Sequence, residues 1–338
     1  MSSISVNTIT DASGGSTTSI NGFTPSVSNM AGRNRIINGC MRIAQRGTSV
    51  SGTVGFYALD RWRGYSASSF PITQEVFTLG QTDVPNEPKN YLRVGTGGAV
   101  KSLSQRIEDV RTGAGQTFTL SFYAKASTSF DLVLGYTQYF GSGGSSGVSG
   151  TFGTSSITTS WQKFEVTFTL PSIAGKTIGA GDFLQITFAD GGTYIPATTT
   201  FDITLVQLEE GSVATPFEHR QYGQEEMLCK RYYQKYVGGS GAYGYIGITM
   251  GVGSGTAISS MFPFEQEMRA APSTSYDLTG MGVWDGASLR AITATSSEYK
   301  NTKGMRIDMV VGGGGLTTGH SYSTYGSTST VVQLNAEL

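Results

Sequence analysis

Two stretches, FTLSFYAKA at Phe118–Ala126 and WQKFEVTFTLP at Trp161–Pro171, alternate apolar with polar side chains. Successive side chains of a strand point to opposite sides of its sheet, so a period of two predicts one packed face and one wet face. Such a sheet must bury its apolar face against a second layer. The segments between runs of this kind are broken by Gly, Ser and Thr rather than by helical spacing, and the 47 Gly are roughly double the usual share. The pattern predicts an all-β chain of antiparallel sheets.

From Arg33 to about Gly211, strand candidates are Asn34–Ile43, Phe70–Thr78, Tyr91–Val94, Phe118–Ala126, Phe130–Tyr139, Trp161–Leu170, Phe183–Phe188 and Phe201–Leu208. Their lengths and spacing suit a two-sheet, jelly-roll-like sandwich. Gly141–Gly153 has almost no apolar side chains and reads as a long mobile loop. A second set, Tyr245–Gly251, Thr256–Phe264, Thr274–Asp277, Arg290–Ala294, Gly304–Val311 and Thr330–Ala336, predicts a smaller C-terminal sandwich. Between the two, Gln224–Tyr233 predicts a short helix with Met227, Leu228 and Tyr232 on one apolar stripe. The residues before Arg33 hold one strand candidate, Ile4–Ile9, and too few apolar side chains to close a core, which predicts an arm ordered against a partner. The expected organisation is therefore an extended N-terminal arm over 1–32, a jelly-roll sandwich over 33–220, a helical joint over 221–235 and a C-terminal β-sandwich tip over 236–338.

With 23 Lys plus Arg against 24 Asp plus Glu, the formal charge of −1 supplies no field for a polyanion, so nucleic acid is not an expected partner. The N-terminus lacks a basic start and an apolar core, and no run of 18 apolar residues occurs, so a soluble protein without membrane insertion is expected. Cys40 and Cys229 are too isolated for a disulfide framework or a zinc site and read as buried thiols. GSGAYG at Gly239–Gly244 is followed by the strand-like YIGITM, where a dinucleotide site needs a helix. GKT at Gly175–Thr177 has Leu170 where a phosphate loop needs Gly. His219 and His320 are the only histidines, and neither belongs to a zinc-hydrolase or nucleophile-turn motif. These absences predict neither catalysis nor a cofactor.

NRIINGCMRIAQRGTS at Asn34–Ser49, LDRW at Leu59–Trp62, SWQKFEVTFTLP at Ser160–Pro171 and QLEEGSVATPFEHRQYGQEEMLCKRYYQ at Gln207–Gln234 occur in that order. Together they resemble bacteriophage tail-fibre and receptor-binding proteins that carry a carbohydrate-binding-module-like jelly roll. FPFEQEMRAAPS at Phe262–Ser273 and the closing VVQLNAEL are similar to the C-terminal sandwich that follows the module in such fibres. The resemblance implies a virion structural protein of the tail, made in the host cytoplasm and assembled as a homotrimer. Its N-terminal end would be held by phage tail or portal-proximal proteins, and its distal end would meet host surface polysaccharide. On that reading Ile4, Val6, Ile9, Ile20 and Phe23 are the virion-docking residues. The resemblance leaves open whether calcium occupies a sandwich loop.

Sugars stack their apolar faces on exposed aromatic rings and hydrogen-bond to neighbouring polar groups. Trp62 and Trp161 sit inside the family-like segments and are expected in the first core. Trp284, Tyr299, Tyr322 and Tyr325, with His320, lie in Gly- and Ser-flanked segments and are the expected receptor contacts. Arg33, Arg35, Arg42, Arg46, Arg61 and Arg63 face only Asp60 locally and are expected to pair with carboxylates inside the sandwich or trimer. The function expected is that of a tail fibre recognising a host surface glycan. Two other readings stay open, a structural head-decoration or tail-adaptor protein and a glycan depolymerase using a pair of acids.

Overall fold

A computed structural model describes residues 32–98, 101–239, 244–245, 248–249, 255–327 and 329–338. The expected arm, with Ile4, Val6, Ile9, Ile20 and Phe23, lies outside the described residues, as does most of Gly239–Gly244. The chain divides into two compact units, Met1–Gln221 with Leu338 and Tyr222–Glu337. Both are antiparallel β-sandwiches, so the chain is all-β apart from one short helix. No helix among the described residues is long and apolar enough to cross a membrane.

Strands are numbered in chain order. The first sheet of the first unit runs β1 (Ser49–Gly52), β4 (Phe70–Val76), β5 (Asn90–Val94), β12 (Phe201–Glu210), β7 (Thr117–Ala126), β10 (Gln162–Thr169). The second runs β2 (Phe56–Tyr57), β3 (Arg63–Tyr65), β6 (Ser102–Glu108), β11 (Phe183–Phe188), β8 (Phe130–Tyr139), β9 (Val148–Ile157). The chain crosses between the sheets at most connections, which is the winding of a jelly roll. Alternation decides what faces inward: Phe118, Leu120, Phe122 and Ala124 of β7 join Leu92 and Val94 of β5, Ile203 of β12, and Leu184 and Ile186 of β11 in one core.

Two segments depart from their sequence reading. Residues 34–43 are not a strand: Asn38 and Met41 both have φ of 58°, and the segment runs beside the irregular part of β12. Arg35 N donates to Leu208 O, Val206 N donates to Gly39 O, and the Asn34 amide bonds backbone on both segments. Gly39 permits that approach, because a Cβ there would stand 2.1 Å from Val206 O. The expected mobile loop is also held: its second half belongs to β9, which begins at Val148 and pairs with β8 along its length, and Ser142 forms a bridge with Ala180. Its glycines serve packing rather than mobility: a Cβ on Gly153 would sit 2.6 Å from Cγ1 of Val166, and the extra residue of the β8–β9 register shift, Phe152, stacks on Phe168 at 3.9 Å.

After β12 the chain doubles back through a buried polar network. The carboxylate of Glu209 accepts from Gln207 Nε2 at 2.7 Å, Thr215 N at 2.8 Å and Thr215 Oγ1 at 2.6 Å. Glu218 caps the backbone N–H groups of Gly32 and Asn34, each at 2.8 Å. Arg33 lies 3.9 Å from Glu209, whereas Arg61 is buried and donates to the Arg106 carbonyl. The arginine cluster thus serves backbone oxygens as well as carboxylates, because a guanidinium's several N–H donors suit carbonyl oxygens too.

In the second unit a three-stranded sheet, β13 (Tyr233–Val237), β22 (Val331–Asn335), β17 (Ser273–Asp277), packs on a seven-stranded one. The larger sheet runs β14 (Gly244–Tyr245), β21 (Ser323–Gly326), β18 (Gly282–Trp284), β19 (Leu289–Lys300), β20 (Gly304–Val311), β16 (Ala257–Pro263), β15 (Ile248–Thr249). The core between them is built on Ile258, Phe262, Ile307, Met309, Val332 and Leu334. The helix, α1 (Tyr222–Lys230), starts and ends earlier than its sequence pattern, and its buried residues are Glu225 and Cys229. Met227 is 55 % exposed, so the expected apolar stripe does not form. Tyr232, the last member of that stripe, is buried just beyond the helix.

Candidate functional site

The outer face of the first sheet carries a group of rings that belongs to neither core. Even positions of β4 and β5, such as Ile72, Leu92 and Val94, point inward, so Thr73, Glu75, Tyr91 and Arg93 face out, with Phe77 continuing that row past β4. On β7 the outward positions are Tyr123 and Lys125, and on β12 they are Asp202 and Thr204. Trp161 precedes β10, whose Gln162 pairs with Ala124, so its ring arrives on the outer face opposite Lys125.

Phe77, Tyr91 and Trp161 form a closed trio, with centroids 4.8 Å apart for Phe77–Tyr91, 5.3 Å for Phe77–Trp161 and 5.4 Å for Tyr91–Trp161. Trp161 stands at 80° to Tyr91 and takes the Lys125 ammonium over its ring at 5.3 Å. All three rings are part-exposed. The expectation that Trp161 belongs to the core is corrected: its odd position opposes the inward Phe164, Val166 and Phe168. Trp62 does lie in the core, fully buried, with its indole N–H donating to Asn38 O at 3.0 Å.

Charges beside the trio are held in place. Arg93 grips Asp202 through two hydrogen bonds, Nε to Oδ1 at 2.7 Å and Nη2 to Oδ2 at 2.8 Å. The hydrogen bonding to the Asp202 carboxylate is the main reason the Arg93 guanidinium is held above its ordinary range. Burial, followed by the charge of Asp202, raises the Tyr91 phenol, so it stays a neutral donor or acceptor at physiological pH. Beyond Tyr123 and Lys163 the face opens into a cavity of about 280 Å³ lined also by Asn86, Ser121, Ala214 and Phe217. Aromatic faces next to fixed hydrogen-bonding groups on a rigid sheet are the chemistry that holds a sugar ring.

The residues read from the sequence as receptor contacts fall in several places. Trp284 and Tyr325 lie in short strands, opposite Leu289 and Gly282 respectively, not in loops. Tyr299 is 59 % exposed near the other end of β19, about 30 Å along the strand from Leu289, under the Arg306 guanidinium at 4.4 Å. His320 and Tyr322 rings stand 6.5 Å apart, and Tyr322 packs against the second core while its hydroxyl accepts from Thr317 N at 2.7 Å. Tyr299 and Trp284 therefore do not share a site. A separate cleft of about 890 Å³ beside Tyr299 is lined by Met261, Phe262, Pro263 and Met305 together with Lys300, Lys303 and Arg306.

No group of three or more His, Cys, Asp or Glu among the described residues is arranged to hold a metal ion. His219 packs edge-on against Phe217 at 5.0 Å. Glu209 is buried within its own hydrogen-bond network.

Residues 55–180 match the family described as Carbohydrate binding domain. The match covers somewhat more than a third of the chain and contains the whole ring trio with Arg93, Tyr123 and Lys125. No curated protein matches the chain. Among solved structures, the CBM22-2 xylan-binding domain of Paenibacillus barcinonensis Xyn10C is 12 % identical with a TM-score of 0.33, over 45 % of this chain and 92 % of that one. The N-terminal cellulose-binding domain of Cellulomonas fimi β-1,4-glucanase C is 20 % identical with a TM-score of 0.30, over 45 % of this chain and 90 % of that one. The enzymatically active domain of tailspike protein 4 from bacteriophage CBA120 is 14 % identical with a TM-score of 0.32, over 53 % of this chain but only 21 % of that one.

Proposed function

We propose that this chain is a phage virion protein, a tail fibre that binds host surface polysaccharide without catalysis, through the outer face of its first sandwich. The observation that carries the binding part is the Phe77–Tyr91–Trp161 trio, placed on a rigid sheet within the span that matches a carbohydrate-binding family. Rings on a sheet lose little entropy on binding, because the backbone already fixes them. Single-site affinity is low, and several copies on one particle turn weak contacts into lasting adhesion.

The virion part rests on the family-like segments at Asn34–Ser49 and Gln207–Gln234. On this reading the chain trimerises and residues 1–32 dock it on the particle, through Ile4, Val6, Ile9, Ile20 and Phe23. Imaging of particles with labelled protein tests it. Label at the tail supports a fibre, label on the head favours a decoration protein, and deletion of residues 1–32 that leaves incorporation intact removes the docking role. Binding is tested by incubating purified protein with host surface polysaccharide. Release of reducing ends would replace simple binding with depolymerisation.

A further inference from the structure

We propose that the outer face of the first sheet selects a saccharide bearing an anionic group, which Lys125 receives while Trp161 carries the sugar ring. This rests on the carbohydrate-binding reading and names the ligand class for that site.

The hydrogen-bond accounts of the face are one-sided. Each acid on it already has a donor: Asp202 has Arg93 at 2.7 Å, Glu75 has Thr73 Oγ1 at 2.6 Å, and Glu165 has Lys163 at 2.5 Å. Three donors have no hydrogen-bond partner among the described residues: Lys125 Nζ, the Trp161 indole N–H and the Tyr123 hydroxyl. Lys125 lies directly across from Asp202 in the sheet, yet that carboxylate is occupied on both oxygens by Arg93. Its ammonium turns instead over the Trp161 ring. Tyr123 stands two residues from Lys125 on the same side of β7, about 7 Å away.

A face with three unused donors, whose acids each already hold a donor of their own, is complementary to a ligand rich in acceptors. A neutral sugar that stacks on Trp161 must displace the ammonium and return it to water, losing its attraction to the ring. A uronic acid or other acidic sugar replaces that attraction with a charge-assisted hydrogen bond, stronger than a neutral one. The preference is therefore a difference between two ligands at one platform.

The test is an array of neutral and acidic bacterial surface polysaccharides probed with the full chain, with Lys125→Met and with Trp161→Ala. Expected are signals concentrated on acidic members, weakened by 0.5 M NaCl, and reduced about tenfold by Lys125→Met, with neutral glycans bound no more weakly by that variant because no ammonium has to leave Trp161. Trp161→Ala lowers binding to both classes. Binding confined to neutral glycans, or acidic binding indifferent to Lys125→Met, overturns the anionic preference and leaves the carbohydrate reading standing. No binding to any glycan by the unmodified chain overturns both.

Discussion

The two tryptophans of the first sandwich occupy opposite sides of the same architecture. Trp62 is fully buried, 5.9 Å from Phe188 by ring centroids, and spends its N–H on Asn38. Trp161 sits on the outer face, has ring contacts with Phe77 and Tyr91 and the Lys125 ammonium over it, and leaves its N–H without a hydrogen-bond partner among the described residues. The same side chain is a packing element in one place and an available surface in the other. What separates them is strand parity, not residue type or membership of a family-like segment.

The contrast is broken most directly at Trp62. Trp62→Ala empties a closed core site, and a loss of about 3–5 kcal/mol in unfolding free energy is expected from denaturant titration. A loss below about 1 kcal/mol would mean that the interior tolerates the cavity and that Trp62 is no more structural than Trp161. Trp161→Ala should do the reverse. It costs about 1 kcal/mol of stability or less, from lost ring contacts, while glycan affinity measured by calorimetry falls about ten- to a hundredfold. Trp284→Ala is the matching substitution in the second unit and should leave that affinity unchanged.

Neighbouring residues on one strand sharpen the same point. Gly153 faces inward against Val166, whereas Thr154, the next residue of β9, is exposed. Gly153→Ala overfills the core and should cost about 1–3 kcal/mol, while Thr154→Ala should stay within about 0.5 kcal/mol. Equal effects in thermal melts would show that β9 is not seated on the core as described.

Much of this was legible before any coordinates. β8, β11 and β20 coincide with the strand candidates Phe130–Tyr139, Phe183–Phe188 and Gly304–Val311, and β20 shows the alternating burial that a strand packed on one face writes into the chain. Trp161 was legible too: in WQKFEVTFTLP the inward set is Phe164, Val166 and Phe168, and an odd-numbered Trp161 falls with Lys163 and Glu165 on the wet side. Strand parity, not membership of a family-like segment, decides its side of the sheet. Other features were not legible. The glycines of β9 resemble those of a loop until Val166 and Tyr136 are seen to need their space. Positive φ at Asn38 and Met41 goes with a local turn, in which Met41 N donates to Asn38 O and the Asn38 side chain bonds the backbone of Ile43, and alternation carries no signal for it. The separation of Tyr299 from Trp284 needed strand register, which alternation alone does not supply.

The smallest expected effect compares two lysines instead of two tryptophans. Lys125 is a cation of the outer face without a carboxylate partner among the described residues, whereas Lys101 is fully buried and donates to Gly95 O at 2.7 Å and Thr199 O at 2.9 Å. Burial pushes the Lys101 amine down to about 8 from an ordinary 10.5. A depressed lysine sheds its proton earlier in the folded state than in the unfolded one. Between about pH 8 and pH 10.5 the unfolded chain holds the extra proton, so this residue makes stability rise with pH across that window and contributes no slope below it. The two carbonyl partners favour the ammonium and should make the rise shallow. Urea titrations from pH 7 to 10.5, comparing the unmodified chain with Lys101→Met and Lys125→Met, read the difference. The rise should vanish in the first variant and persist in the second. A slope that persists in Lys101→Met would assign it to another group and leave the buried cation electrostatically no different from the half-buried one.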